Sequence, residues 1–175
     1  MNPDWNSIFK KLAEQLEKAE LPSVSQIARK KRDPFRVLVS TIISLRTKDE
    51  VTLASSARLF SLADTPHSMA ALDEKTIADA IYPAGFYATK AKHIRETSHI
   101  LNDRFGGIVP STIDDLLTFP GVGRKTANLV LNLGFGIDAI CVDTHVHRIS
   151  NRFGWIKTGI PEETERALME ILPKN

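Results

Sequence analysis

Apolar residues in this chain recur at intervals of three and four and nowhere alternate at period two over a convincing length, which restricts the fold to packed helices. Trp5, Ile8, Phe9, Leu12 and Leu16 predict an amphipathic helix over Asp4 to Ala19. Leu21-Pro22-Ser23 breaks it, with Ser23 placed to cap a short helical turn. Asp33-Pro34 then puts an acceptor at an N-cap and a proline at the first helical position, opening an apolar helix over Phe35 to Leu45. The next pattern, Thr47 to Phe60, carries Asp49 and Glu50 in its first turn and predicts an inward face of Val51, Leu53, Ala54, Ala57 and Phe60. After a polar turn at Asp64-Thr65-Pro66, helices are predicted over Asp73 to Ile81 and Ala88 to Phe105, the second stopped by Gly106-Gly107. One strand candidate exists, Ile137 to Val142, and it has no partner to complete a ladder, so the fold class expected is all-α.

With 175 residues, 42% hydrophobic and 25% charged, the chain has the composition of an ordinary globular protein and the length for one domain or two small lobes. Disordered and collagen-like chains are excluded. Cys141 is the one cysteine, which excludes an internal disulfide and any multi-cysteine metal or iron–sulfur site; it reads as a small buried apolar residue in a reducing compartment. The charged N-terminal stretch carries no apolar leader and no apolar run approaches about 18 residues, so neither a membrane span nor a secretory address is predicted, and an intracellular location is expected. The net charge of +2 is mild but uneven: Arg29 to Arg58 holds eight Lys/Arg against three acids. Such a face is compatible with phosphate contact, although Arg29 to Arg32 also reads as a solvated turn.

The informative segment follows. Ser111-Thr112-Ile113-Asp114 resembles a capping box opening a short helix through Leu117, then comes Phe119-Pro120-Gly121-Val122-Gly123, then a strong helix from Arg124 to Leu131. Two alternating glycines permit a tight hairpin whose backbone approaches another molecule, and the helix start beyond it points N–H groups outward. That is an anion site blind to base sequence. The bland alternative is a link between two packed helices; Arg124 and Lys125 beside the hairpin favour nucleic acid.

These residues resemble the helix-hairpin-helix DNA glycosylases, and among them the endonuclease III family. The resemblance rests on Phe119-Pro120-Gly121-Val122-Gly123-Arg124-Lys125-Thr126-Ala127 and on Val142-Asp143-Thr144-His145-Val146-x-Arg148; Ser44-x-x-x-x-Asp49 and Gly85-Phe86-Tyr87-x-x-Lys90-Ala91 are weaker matches. It implies a helical barrel over 24–136, with the helix-hairpin-helix at 111–135, and a second lobe from 1–23 plus 137–175, incomplete relative to the family. It also implies a monomeric base-excision enzyme for damaged double-stranded DNA, removing oxidised pyrimidines and nicking the strand as an AP lyase. Lys125 would be the nucleophile and Asp143 its carboxylate partner. Gly121, Val122, Gly123, Arg124, Thr126 and His145 would contact DNA, while Arg46 and Phe86 would fill the space left by an extruded base. For Phe86-Tyr87, plain core at a helix start is the alternative.

An amine attacks only when neutral, and Lys125 stands in the first turn of a helix beside Arg124. Asp143 has a second, compatible role as a helix N-cap. His145 and His147, two apart, point to different sides of a helix, so no transition-metal site is expected. The resemblance implies a monovalent cation at the carbonyls of Leu117, Phe119 and Val122. It also implies a C-terminal four-cysteine segment holding a 4Fe–4S cluster. No such segment precedes the stop at Leu172-Pro173-Lys174-Asn175, so a fragment or a minimal variant without cofactor is expected. Two rival classes stay open: a non-catalytic helix-hairpin-helix DNA clamp, and a monofunctional glycosylase for mismatched or alkylated bases. In a prokaryote the location expected is cytoplasm or nucleoid.

Overall fold

The computed structural model describes residues 3–17 and 19–173, and every regular element among them is helical. In chain order these are α1 (Trp5–Leu16), α2 (Ser23–Lys30), α3 (Pro34–Ser44), α4 (Asp49–Leu62), α5 (Pro66–Ala70), α6 (Glu74–Ile81), α7 (Tyr87–Phe105), α8 (Ile113–Leu116), α9 (Arg124–Val130) with a π turn (Leu131–Phe135) continuing it, α10 (Thr144–Arg152) and α11 (Pro161–Ile171). The stretch Ile137 to Val142 forms no strand, so the all-α expectation holds. The chain divides into two compact units: Pro22–Ile137, and the segment ending at Leu21 joined with the segment starting at Asp138.

In the Pro22–Ile137 unit, α3 is the central element. Asp33 caps it by accepting from the Phe35 and Arg36 N–H groups at 3.0 and 3.2 Å, and Pro34 occupies the first turn. Val37, Leu38, Val39, Ile42 and Ile43 are fully buried, an apolar surface on all sides, and α2, α4, α7, α9 and the π turn pack around it. Each such side chain contributes roughly 1.5–3 kcal/mol by leaving water.

Three local expectations change. The inward face of α4 is Thr52, Ser55, Ser56, Leu59 and Phe60, while Ala54 and Ala57 are exposed. Two of these three hydroxyls find acceptors inside: Thr52 donates to Lys48 O at 3.1 Å and Ser55 to Ile81 O at 2.9 Å, joining α4 to the end of α6. Ser23 is the first residue of α2 rather than its cap, and its hydroxyl donates to Asp49 Oδ1 at 2.6 Å. What reads as a plain turn at Thr65-Pro66 opens α5, where Thr65 and Ser68 cap each other's backbone N–H groups. The long helix α7 packs on α5 and α6 and ends at Gly106, whose positive φ of 59° closes the last turn.

In the other unit Asp4 caps α1 through the Ser7 N–H at 3.2 Å, and the helix stops at Leu16; Lys18, within the longer helix expected to Ala19, lies outside the described residues. No side chain of α1 is buried, and Phe9, Leu12 and Leu16 stay exposed despite their helical spacing. Trp5 meets Trp155 edge-on at 5.1 Å. His147 Nδ1 bonds to Thr164 at 2.6 Å, and Thr164 to Thr158 at 2.6 Å, tying α10 to α11 and the loop between them. Cys141 is half-buried, short of the core position expected for it.

Candidate functional site

The hairpin is built from small local commitments. Thr112, not Ser111, caps α8: its hydroxyl oxygen accepts from the Asp115 N–H at 3.3 Å and its O–H donates to the Asp115 carboxylate at 2.6 Å. The cap thus lies one residue later than the sequence pattern predicts, and a hydroxyl–carboxylate bond stands where a capping box has its reciprocal backbone bond. Leu116, Phe119 and Val122 anchor the turn in the core, with Phe119 edge-on to Phe105 at 5.8 Å. The Val122 N–H donates to Phe119 O at 3.2 Å, and Gly121 turns the chain with φ 75°. A Cβ at position 121 would lie 2.5 Å from His93 Nδ1.

Gly123 differs. Its φ is −95°, a region open to any residue, and a Cβ there would meet nothing within 4 Å. It is the N-cap of α9, and a glycine brings no side chain to close that helix start. Of the two hairpin glycines, Gly121 is therefore the one the fold requires.

Lys125 is exposed in the first turn of α9 and lines a cavity of about 310 Å³ together with Ser23, Thr41, Ser44, Arg46, Asp49 and Thr126, among others. That volume falls at the lower end of small-molecule sites, about 300–1,000 Å³. Of the site residues expected from sequence, Lys125, Thr126 and Arg46 meet at this one cavity, and so do Ser44 and Asp49 of the weaker match.

Arg46 and Phe86 also meet each other. The guanidinium lies 5.7 Å from the ring centroid, and both residues have left-handed backbone, φ 52° and 57°. Phe86 is 64% exposed, which overturns the helix-start core alternative for it. Beneath the pair lies Lys90, part of the weaker match but given no role from sequence, and buried in α7. Burial pushes its amine down to about 8. The folded chain then holds that proton less tightly than the unfolded one, so between about pH 8 and 10.5 stability rises with pH. Denaturant unfolding at pH 7.5 and 9.5 should show the advantage of the wild type over Lys90→Met growing at the higher pH; a constant gap would contradict it.

Asp143 and His145 belong to the other unit. Half-buried Asp143 caps α10, its Oδ1 accepting from the His145 and Val146 N–H groups at 2.9 Å each. His145 is exposed with Nδ1 3.1 Å from Arg148 Nη2, whereas His147 is held by Thr164, so the two rings serve different contacts. No group of three or more potential metal ligands occurs among the described residues. One cysteine cannot furnish four thiolates, so a 4Fe–4S cluster does not fit this chain's own residues. No helix among the described residues is long and apolar enough to cross a membrane.

Residues 39–174 match the model of the HhH-GPD superfamily base excision DNA repair protein. The chain is 52% identical to endonuclease III of Thermotoga maritima over 146 residues, 83% of this chain and 68% of that one. It is 43% identical to endonuclease III-like protein 1 of Gallus gallus over 81% of its own length, spanning about half (51%) of that relative. Among solved structures it is similar to a trapped endonuclease III–DNA covalent intermediate, with a TM-score of 0.81 and 34% identity over 99% of this chain and 80% of that one. A non-covalent endonuclease III–DNA complex gives the same TM-score, 0.81, and identity, 34%, over 96% and 76%. With the family model covering most of its length and a half-identical relative spanned across two thirds, this chain belongs to the HhH-GPD superfamily of base excision DNA repair proteins, in the endonuclease III family.

Proposed function

We propose that the chain excises oxidised pyrimidines from duplex DNA and nicks the strand as an AP lyase, with Lys125 as nucleophile. The observation supporting this is the exposed Lys125 amine at a cavity with Ser44, Asp49 and Arg46, in a family of base excision repair proteins. The amine attacks deoxyribose C1′ as the C1′–N bond breaks; the base leaves with that electron pair and is protonated. The sugar ring opens to a Schiff base, loss of a C2′ proton expels the 3′ phosphate, and hydrolysis frees the lysine. Asp143 stabilises positive charge on the sugar as the base departs, besides capping α10. Gly121, Val122, Gly123, Arg124 and Thr126 hold backbone phosphate, His145 adds a contact, and Arg46 with Phe86 fills the vacated stack. A monovalent cation on the carbonyls of Leu117, Phe119 and Val122 would add positive charge beside that phosphate. Pro22–Ile137 then serves as the barrel, the other unit as the second lobe, and the chain acts as a monomer.

Duplexes holding an oxidised thymine, a mismatched base or no damage separate the rival classes. Base release with a nick at the oxidised thymine is expected. Release without a nick would mark a monofunctional glycosylase, and binding without release a clamp. The hairpin glycines give a sharper check on the phosphate contact. Gly123→Ala should leave unfolding within about 0.5 kcal/mol yet weaken duplex binding roughly tenfold, because its methyl meets only the DNA. Gly121→Ala should destabilise the fold by about 1–2 kcal/mol as well, through its positive φ. Equal behaviour of the two variants in binding and unfolding would contradict the assignment.

A further inference from the structure

Lys90 is 5% exposed and its ammonium is surrounded by oxygen acceptors: Nζ donates to Ile43 O at 2.7 Å, Leu45 O at 2.6 Å and Thr47 Oγ1 at 2.8 Å. Three acceptors match the three hydrogens an ammonium offers. The two carbonyls belong to the end of α3, where backbone oxygens lack helical partners and a cation is favoured. Thr47 also accepts from the Gly85 N–H at 3.1 Å, so lysine and loop backbone converge on one hydroxyl. The approach is close enough that a Cβ at Gly85 would stand 2.5 Å from Arg46 O.

Between these anchors lie Arg46 and Phe86, the two non-glycine residues with positive φ among the described residues. Such backbone persists in L residues only when the surroundings over-determine it. The bonds from Lys90 and Thr47 supply that determination from both sides, and the exposed ring and guanidinium emerge already paired. An apolar side chain at position 90 would fill the space but leave three acceptors without their donor.

We infer that Lys90 is a positioning residue that locks the α3–α4 loop against the start of α7, so that Arg46 and Phe86 meet the damaged duplex as one preformed wedge. The inference rests on the glycosylase reading above and adds the residue on which the wedge depends. It also explains why a buried cation bonded to two carbonyls and a hydroxyl occupies this point of the fold.

The test is a mutant cycle on the full chain, read by single-turnover release of oxidised thymine from duplex DNA and by nicking at a preformed abasic site, where no base has to be expelled. Lys90→Met should slow base release about a hundredfold, the scale of a misplaced positioning group, and nicking no more than about threefold. Added to Arg46→Ala/Phe86→Ala, it should cost no more than about twofold further in base release. Thr47→Val, which cuts the shared hydroxyl and spares the lysine, should reproduce the pattern and carries the test should Lys90→Met fail to fold. Amide exchange at position 47 and at Gly85 should quicken in both variants. A full additional loss in the doubly truncated background would overturn the inference, leaving Lys90 a residue of general stability. Full base release by Arg46→Ala/Phe86→Ala would overturn it too, with the glycosylase reading intact. A wild type that neither releases base nor nicks would remove that reading and this inference together.

Discussion

Lys125→Gln should lose strand nicking and borohydride trapping on duplex DNA by about ten-thousand-fold or more, a barrier increase of about 5 kcal/mol. Glutamine keeps the length and a hydrogen-bond donor but has no amine to join C1′. Lys125 is exposed in the first turn of α9, so the fold should change by less than about 0.5 kcal/mol. Duplex affinity should fall only by what one cationic contact contributes, which shows as a shallower salt dependence. Single-turnover nicking, trapping yield and binding measured across a salt series on one preparation separate these effects. A clamp would show the binding change and no activity in either protein. A glycosylase that activates water instead would keep base release in the variant.

Asp143 offers the second large effect because its two roles respond to different substitutions. Its Oδ1 accepts from two backbone N–H groups at 2.9 Å, and asparagine presents a carbonyl oxygen to the same place. Asp143→Asn should therefore leave unfolding within about 0.5 kcal/mol, whereas Asp143→Ala should cost about 1 kcal/mol through the lost cap. Base release should fall about a hundredfold in both, since both remove the charge that would face the developing cation on the sugar. Duplex binding should persist, as neither variant adds a negative charge. Chemical denaturation set beside single-turnover base release makes the comparison. Full base release by Asp143→Asn would reduce the residue to its cap.

Where the controlling interactions are local, the sequence carries them. Asp33-Pro34 at the start of α3, Gly106 after α7 and Gly121 in the hairpin each act within a few residues of where they stand, and each sits where the pattern puts it. The inward face of α4 is different: Ser55 is buried because Ile81, 26 residues on, offers a carbonyl, while hydropathy alone favours Ala54 and Ala57. In α1 the reverse holds, since helical spacing of Phe9, Leu12 and Leu16 indicates a stripe without guaranteeing anything to cover it. At five residues, α5 is too short for periodicity to register, and its cap pair had to be seen in space.

The candidate site shows the same division. Lys125 and Asp143 are legible because each stands in a short run with its own geometry, a hairpin leading into a helix and a cap opening one. The cavity beside Lys125 draws on α2, α3, the loop after it, α4 and α9, a convergence that no spacing along the chain announces. Lys90 is the plainest case. Its acceptors lie 43–47 residues earlier, and nothing nearby in sequence marks the lysine as buried. The left-handed backbone of Arg46 and Phe86 likewise follows from those distant bonds rather than from residue type.

The central claim is that one particular amine forms a bond to sugar carbon. Borohydride reduction of the wild-type chain with a duplex containing an abasic site, followed by proteolysis and mass spectrometry of the adduct, locates that bond directly. The account requires the modification on the peptide bearing Lys125, at its Nζ. An adduct on Lys90, on the N-terminal amine or spread over several lysines would contradict it.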